Sequence, residues 1–459
     1  IMGYRYHGHD HKKVRKFIFL EFAVIVLSIL VATFIYNLFG LGTLELQSLF
    51  SFYTLACIVV IQLSILALGL YEFKIRETQI GVFRRLLVAT SVSYLLVELL
   101  LFQSSMRTEI PQYLVLFCTL TCFVCLLIFR LTFWNTKYLG FVKRNVLVMG
   151  AGERASIIEK RMRRAADRRG IEVKGFVKLP GDKEGHVTRE TILQFDDPKD
   201  LEEYVYINEI SEVIVASDER RGTIPLPSLF DFKIRGIEIT DILDFIERET
   251  GQIAVTLIYP SWVIYSNGFR SSNYLKVAAG YFFNLTLSAV VLALTFPFII
   301  LTAAAIFLDD GWRKGSSILY RQERIGKNGE IFSILKFRSM RMNAESAGAQ
   351  FAQKQDSRVT RIGEFIRKYR LDELPQLLNV VKGEMSFVGP RPERPEFVKD
   401  FVKDIPYYNQ RHNVKPGLTG WAQLNYPYGS STEDTIEKLK YDLYYIKHSS
   451  ILFDLLILL

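Results

Sequence analysis

Two adjacent carboxylates, Asp372 and Glu373, lie in the string Ile366-Arg-Lys-Tyr-Arg-Leu-Asp-Glu-Leu-Pro-Gln376, close to Arg367, Lys368 and Arg370. Pro375 is tolerated only in the first turn of a helix, where backbone N–H groups lack partners anyway. Asp372 then falls near the N-cap, and Gly383 suits the C′ stop. A helix amino terminus beside three cations favours an ionised carboxylate and a bound phosphate together. Taken alone, the string is equally satisfied by Asp372 as a plain cap with Glu373 on the surface. Neighbouring segments favour chemistry. Gly389-Pro390-Arg391-Pro392 is a rigid turn that fixes Arg391 in an orientation suited to bidentate phosphate contact. Phe332–Met340 alternates as a strand after a hairpin-like Lys-Asn-Gly turn, with Lys336 and Arg338 on one face and Leu335 and Phe337 on the other. Lys415-Pro-Gly-Leu-Thr-Gly-Trp-Ala-Gln423 is a second rigid loop, and Tyr441-Asp-Leu-Tyr-Tyr445 opens an apolar terminal helix fit to lie on a membrane. Such a cationic, loop-rich site suits a diphosphate substrate in water and a second substrate in lipid.

The elements that carry these residues follow from hydropathy. Residues 277–308 contain no Asp, Glu, Lys or Arg, a run too long for one simple span of about 20 residues. Pro297 lies inside it and predicts a break or kink. Both flanks are basic, Arg270 and Lys276 before and Arg313 and Lys314 after, which favours a segment that enters the bilayer, bends at Pro297 and returns. Upstream, Asn145–Met149, Glu172–Val177 and Glu212–Ala216 read as buried strands alternating with helices, a parallel α/β layer. Gly150-x-Gly152-x-x-Ala155 after the first strand has the form that seats a pyrophosphate on a helix amino terminus, so Gly150 and Gly152 are weak cofactor-binding candidates. Lys178 stands where that fingerprint expects an acidic residue. The basic run Lys160–Arg169 reads first as a solvated helix face and second as a contact for anionic headgroups or phosphate.

Four further apolar segments, near 17–39, 47–70, 84–105 and 111–133, predict transmembrane helices. No small-residue cleavage site follows the first, so it does not read as a signal peptide. Lys12, Lys13, Arg15 and Lys16 before them, Lys74, Arg76, Arg84 and Arg85 between the second and third, and Arg130, Lys137, Lys143 and Arg144 at their end place both ends of the bundle in the cytoplasm. Cys57, Cys118, Cys122 and Cys125 all lie in these spans and read as small apolar filler rather than metal ligands. Glu98, near the outer end of a span, reads as a locally paired or snorkelling carboxylate.

Composition excludes other classes. The 459 residues are 49% hydrophobic and 13% aromatic, against disorder, and four cysteines cannot form a disulfide scaffold. Mean hydropathy is +0.16 and net charge +9. No nucleic-acid recognition module appears, and a membrane surface accounts for the charge. A membrane-anchored nucleotide-sugar dehydratase or epimerase using NAD would need Tyr-x-x-x-Lys, and no tyrosine here has lysine four residues later. A non-catalytic scaffold of polysaccharide assembly would be marked by loss of Asp372, Arg391 or the proline turns, all of which are present.

The stretch resembles the bacterial sugar transferase family, the monotopic polyprenyl-phosphate glycosyl-1-phosphate transferases. The matching pieces are KFRSM (336–340), LDELPQ (371–376), NVVKGEMSFVGPRP (379–392), RHNVKPGLTGWAQ (411–423) and YDLYYIKHSS (441–450). ERRGTIPLP (219–227) and LYRQERIGKNG (319–329) further resemble an exosortase-associated exopolysaccharide branch. Phe296 precedes Pro297 where many members have serine, and Ser316-Ser317 replaces the usual Gly-Pro. The resemblance implies a membrane protein of α plus α/β class with four parts: a four-helix transmembrane domain (1–140), a Rossmann-like domain (141–265), a re-entrant helix (266–315) and a mixed α/β catalytic domain (316–459). It further implies transfer of a sugar 1-phosphate from a nucleoside diphosphate sugar to undecaprenyl phosphate at the cytoplasmic face of the bacterial inner membrane, with Mg²⁺. In that reading Asp372 is the nucleophile and metal ligand, and Glu373 assists. Lys336, Arg338, Arg367, Pro390, Arg391, Arg411 and Asp442 bind substrate or phosphate. The expected partners are the two substrates, the lipid bilayer and a second copy of the chain in a homodimer.

Overall fold

The computed structural model describes residues 8–39, 52–68, 70, 79–102, 112–135, 144–161, 171–183, 187–188, 191–219, 224–258, 274–311, 316–341, 344, 358–427, 429 and 431–458. The basic loops at 71–78 and 136–143, most of the run 160–169, and Arg270, Arg313 and Lys314 lie outside the described residues. The chain divides into two compact units, Ile1–Thr250 and Gly251–Leu458.

The first unit opens with helices α1 (Gly8–Leu38), α2 (Phe52–Ala67), α3 (Gln79–Phe102) and α4 (Gln112–Asn135). Windows at Phe17–Leu38, Ile80–Leu99 and Leu114–Thr132 are long and apolar enough to cross a bilayer; α2 has 16 residues, and residues 40–51 lie outside the described residues. Ile25, Ile65, Leu86 and Leu126 are fully buried between the helices, while Phe19, Leu63, Leu95 and Ile128 face outward. Helices apolar on both inner and outer faces need lipid as solvent. Hydroxyls of Thr33, Thr90, Ser93 and Thr119 donate to carbonyls one turn back, which satisfies these polar groups inside the apolar bundle. Arg130 is buried: it pairs with fully buried Glu21 at 2.7 Å and donates to the Leu70 carbonyl at 3.0 Å, joining α1, α4 and the end of α2. Glu98 is half-buried, with Oε1 lacking a hydrogen-bond partner among the described residues.

A parallel sheet follows, built from β1 (Arg144–Met149), β2 (Ile171–Val177), β3 (Ile192–Leu193), β4 (Glu212–Val215) and β5 (Glu238–Asp241), in the order β3-β2-β1-β4-β5. The order reverses between β1 and β4, where open α/β sheets form a crevice at their carboxyl ends. α5 (Glu153–Arg161), α6 (Pro198–Ile207), α7 (Leu226–Ile234) and α8 (Ile242–Thr250) connect and flank the strands. Leu147, Met149, Val213 and Phe232 centre the core. At the opposite sheet end, buried Glu212 accepts from Arg144 at 3.1 Å and also pairs with Arg248, closing α8 onto the sheet.

The second unit begins with α9 (Tyr274–Ile306), 33 residues that run through Pro297 without interruption and end in a π-helical turn, Phe307–Gly311. The predicted break is thus a proline inside a continuous helix. Its α9 neighbour Thr295 donates to Val291 O at 2.7 Å. β6 (Leu319–Ile325) and β7 (Ile331–Phe337) form an antiparallel hairpin whose turn has Asn328 and Gly329 at φ 58° and 82°. α10 (Arg361–Lys368), capped by Thr360, leads into a 3₁₀ turn, Leu371–Gln376, and then α11 (Leu377–Val381). β8 (Ser386–Val388), α12 (Pro395–Asp404), a 3₁₀ turn at Tyr408–Asn413 and β9 (Gly417–Thr419) follow, with β8 and β9 paired in parallel. α13 (Trp421–Asn425), α14 (Thr432–His448) and α15 (Ile451–Leu458) complete the chain. The expected single terminal helix is two: Tyr441–Tyr445 lie inside α14, which starts at a Ser431–Asp434 capping box, and the apolar segment is α15.

Candidate active site

Pro375 decides the local geometry at Asp372. With no N–H at 375, the chain adopts a 3₁₀ turn over Leu371–Gln376, entered through Arg370 in the left-handed region (φ 58°, ψ 18°). Asp372 is therefore not a helix cap. Its side chain is buried and Oδ1 has no hydrogen-bond partner among the described residues, a free carboxylate oxygen held in the protein surface. Burial, joined by the Glu373 charge, raises its proton affinity above the ordinary aspartate value, against Lys336, Arg367 and Arg370.

Glu373 is the hub of the surrounding cations. Its Oε1 lies 3.1 Å from Arg391 Nη2, 3.5 Å from Arg370 Nη1 and 3.7 Å from Lys336 Nζ. Burial works to raise Glu373, but Arg391, Lys336 and Arg370 outweigh it and hold the carboxyl below its usual range. Lys336 is pulled down to about 8 by burial and by the neighbouring Arg391. It projects from β7 between inward Leu335 and Phe337, as strand alternation requires. β7 ends at Phe337, so Arg338 lies just past the strand, its backbone N–H donating to Ile318 O at 2.9 Å. Arg367 is half-buried in the last turn of α10, where its charge acts on Asp372.

The two rigid loops read separately in sequence are one construction. Gly389 N donates to Thr419 O at 2.9 Å and Gly417 N donates to Pro390 O at 3.0 Å. The backbones approach so closely that a Cβ on Gly389 would come 2.4 Å from Lys415 O. Arg411 and Asp442 are brought together, but buried and 3.0 Å from each other. Arg411 also donates to Tyr408 Oη at 2.8 Å and to the Arg391 carbonyl at 2.9 Å, so it reaches the site through the turn that presents Arg391.

Three positioning residues were missed at the sequence level. Asn379, fully buried, accepts from Leu335 N at 3.0 Å and donates to Ser333 O at 2.8 Å and Glu384 Oε2 at 2.6 Å, bolting the Lys336 strand to the helix after Asp372. Arg324 donates to Pro392 O at 3.0 Å from the end of β6. Tyr445 is buried rather than interfacial; its hydroxyl lies 3.0 Å from Val388 O and 2.8 Å from Asp454 Oδ1. Each lies inside a matching string, 379–392, 319–329 and 441–450, but their contacts run to distant backbone that the strings do not reveal. Gly150 and Gly152 belong to the other unit.

Among the described residues no cluster of three or more His, Cys, Asp or Glu could hold a metal. The donor set is one free carboxylate oxygen on Asp372 beside Glu373. That suits Mg²⁺, which keeps its waters and binds one or two carboxylates plus substrate phosphates. A free carboxylate beside four cations can take a diphosphate and attack its phosphorus.

Residues 275–459 match the family model for bacterial sugar transferases, and residues 66–221 match a CoA-binding domain. A UDP-N-acetylgalactosamine-undecaprenyl-phosphate N-acetylgalactosaminephosphotransferase of Aeromonas hydrophila is 46% identical over 170 residues, 37% of this chain and 39% of that protein. A UDP-glucose:undecaprenyl-phosphate glucose-1-phosphate transferase of Xanthomonas campestris pv. campestris is 33% identical over 297 residues, 63% of this chain and 60% of that one. An uncharacterized sugar transferase, EpsL, of Bacillus subtilis is 39% identical over 180 residues, 38% of this chain and 81% of its own length. The matched region thus spans less than two thirds of the first two relatives.

Proposed function

This chain belongs to the bacterial sugar transferase family, and from that premise we propose that it transfers a sugar 1-phosphate from a UDP-sugar to undecaprenyl phosphate through a phosphosugar ester of Asp372. The observation that carries the proposal is the buried, unpartnered Asp372 Oδ1 beside a Glu373 saturated with cations. The Asp372 oxygen attacks the sugar-bearing phosphorus, and the bond from that phosphorus to the bridging oxygen breaks. The bridging oxygen leaves with its electron pair on the nucleoside monophosphate. A phosphate oxygen of undecaprenyl phosphate then attacks the same phosphorus, the acyl phosphate bond breaks, and the Asp372 carboxylate returns. Arg391, Lys336 and Arg367 bind and orient the phosphates, with Glu373 holding Arg391 and Lys336 in place. Asp372 would hold Mg²⁺, which when bound would supply charge neutralisation to the diphosphate.

The lipid substrate calls for a site at the membrane surface. α9 supports a re-entrant rather than a crossing helix. Asn284 near its start accepts from Phe387 N at 2.7 Å, and Ile299, Ala303 and Ile306 near its end pack on Phe337 and Ile366 of the same unit. Positions 284 and 306 would be about 33 Å apart on a straight helix, close to the bilayer core thickness. A helix touching one polar domain at both places lies along that domain. Together with the basic flanks, this contact supports a domain at the cytoplasmic face of an inner membrane, a role in exopolysaccharide assembly, and a Rossmann-like reading of the first unit's sheet.

Purified protein in synthetic lipid free of undecaprenyl phosphate, given a panel of UDP-sugars, should release about one equivalent of UMP per enzyme and retain labelled sugar phosphate. Asp372→Ala should lower turnover on the order of 10⁶-fold, as for loss of a nucleophile. UMP release that survives this substitution would overturn the proposal.

A further inference from the structure

The match to a CoA-binding domain and the Gly150-x-Gly152-x-x-Ala155 turn both imply a nucleotide at the carboxyl end of β1. The residues there do not fit one. Gly150, at φ 125°, makes the tight turn, and Gly152 allows a close approach to the start of α5, as the fingerprint requires. What approaches Gly152 is a side chain of this protein. A Cβ on Gly152 would come 2.0 Å from Asp218 Oδ2. Asp218, three residues beyond β4, accepts from Glu153 N at 2.8 Å and Arg154 N at 2.9 Å, the first two amides of α5, and from Lys183 N at 3.3 Å. Asp182 takes the amides on the other side, Ala151 N at 2.8 Å and Leu179 N at 2.9 Å, and its second oxygen accepts Asp218 N at 3.4 Å.

We infer that Asp218 is the resident anion of this turn, and that the sheet domain takes neither a dinucleotide nor coenzyme A there. The amides of Ala151, Glu153 and Arg154, which would grip a pyrophosphate, already donate to carboxylates of the same chain. A phosphate entering the crevice would meet Asp218 and Asp182, with Glu153 and Glu219 beside them and Lys183 paired to Glu153 at 3.1 Å. Lys178, in place of the ribose-binding acid, removes the second recognition element. Backbone hydrogen bonds from Arg154, Glu153 and Lys183, working against burial, hold Asp218 below its ordinary range, so the plug stays charged at neutral pH. The cradle built for a cofactor instead joins three segments, the β1–α5 turn, the loop after β2 and the loop after β4.

The test is binding, not turnover, so its failure is separable from failure of the transferase proposal. Full-length protein in nanodiscs is titrated with NAD⁺ and with coenzyme A to millimolar concentration, with excess UMP present to occupy the phosphotransfer site. No saturable heat and no rise in melting temperature are expected; saturable binding of either compound would overturn the inference. Asp218→Ala should lower the melting temperature, and millimolar inorganic phosphate should restore part of the loss while leaving the parent protein unmoved. Asp218→Asn, which keeps the shape and drops the charge, should behave likewise. A variant that folds and gains nothing from phosphate would show that Asp218 does not hold an anion seat. Should neither variant fold, the parent titration alone decides.

Discussion

Asp372 and Glu373 are chain neighbours with opposite proton affinities. Burial and the adjacent Glu373 charge push Asp372 up, while Arg391, Lys336 and Arg370 hold Glu373 down against burial. Driving two carboxyls apart assigns them different roles. Asp372 must be ionised to attack, so kcat/KM should rise with pH through a value above the ordinary aspartate range. Lys336 carries its charge only below about 8, so kcat/KM for the UDP-sugar should fall as pH rises through that point. Lys336→Arg should abolish the alkaline limb, because guanidinium stays charged. Glu373→Gln removes a charge that raises both Asp372 and Lys336, so both limbs should move to lower pH; fixed limbs would mean the titrating groups lie elsewhere. Asp372, Glu373 and Arg391 were readable because short strings of prolines and charges define them without distant partners. Asn379 and Arg324 were not, since the groups they hold lie 44 and 68 positions away. Arg411 and Asp442 were found as charged residues in matching strings, but their burial against each other depends on packing between a 3₁₀ turn and α14.

At the scale of elements, the active turn is fixed by backbone contact rather than by regular structure. Gly389→Ala would drive a methyl into Lys415 O, and should separate β8 from β9 and abolish donor binding while the membrane helices still insert. Binding of UDP-sugar measured by calorimetry checks this. Asn379→Ala leaves Leu335 N, Ser333 O and Glu384 without a partner and should cost about 2–4 kcal/mol, read as earlier thermal loss of activity in the same lipid. The elements themselves were largely legible: apolar runs marked α1, α3, α4 and α9, and the buried strands β1, β2 and β4 fell where expected. Misreadings arose where local pattern and packing differ. Pro375 selects a 3₁₀ turn instead of an α-helix start, which frees Asp372 from capping. Tyr445 looks interfacial by type, yet Val388 and Asp454 draw it inside. In the sheet domain the glycine fingerprint was visible, but the carboxylate that fills it arrives 64 or more residues later.

Over the whole molecule, the apolar excess resolves into a lipid-facing bundle and α9, whose apolar window is 11% buried within the protein. Phe282 and Leu294 are about 70% exposed there, as suits a lipid environment. With Cys57, Cys118, Cys122 and Cys125 replaced, a cysteine at exposed Lys399 on α12 should resist an impermeant maleimide in intact cells and react in inverted vesicles. Labelling of intact cells would overturn the cytoplasmic placement. The Asn284 amide on α9 clasps Phe387 N, two residues before the turn that presents Arg391. Bilayer thickness thereby becomes a variable of the reaction. A thicker or thinner membrane that shifts α9 also shifts Arg391 relative to Asp372, so acyl-chain length should tune turnover even where both substrates are saturating.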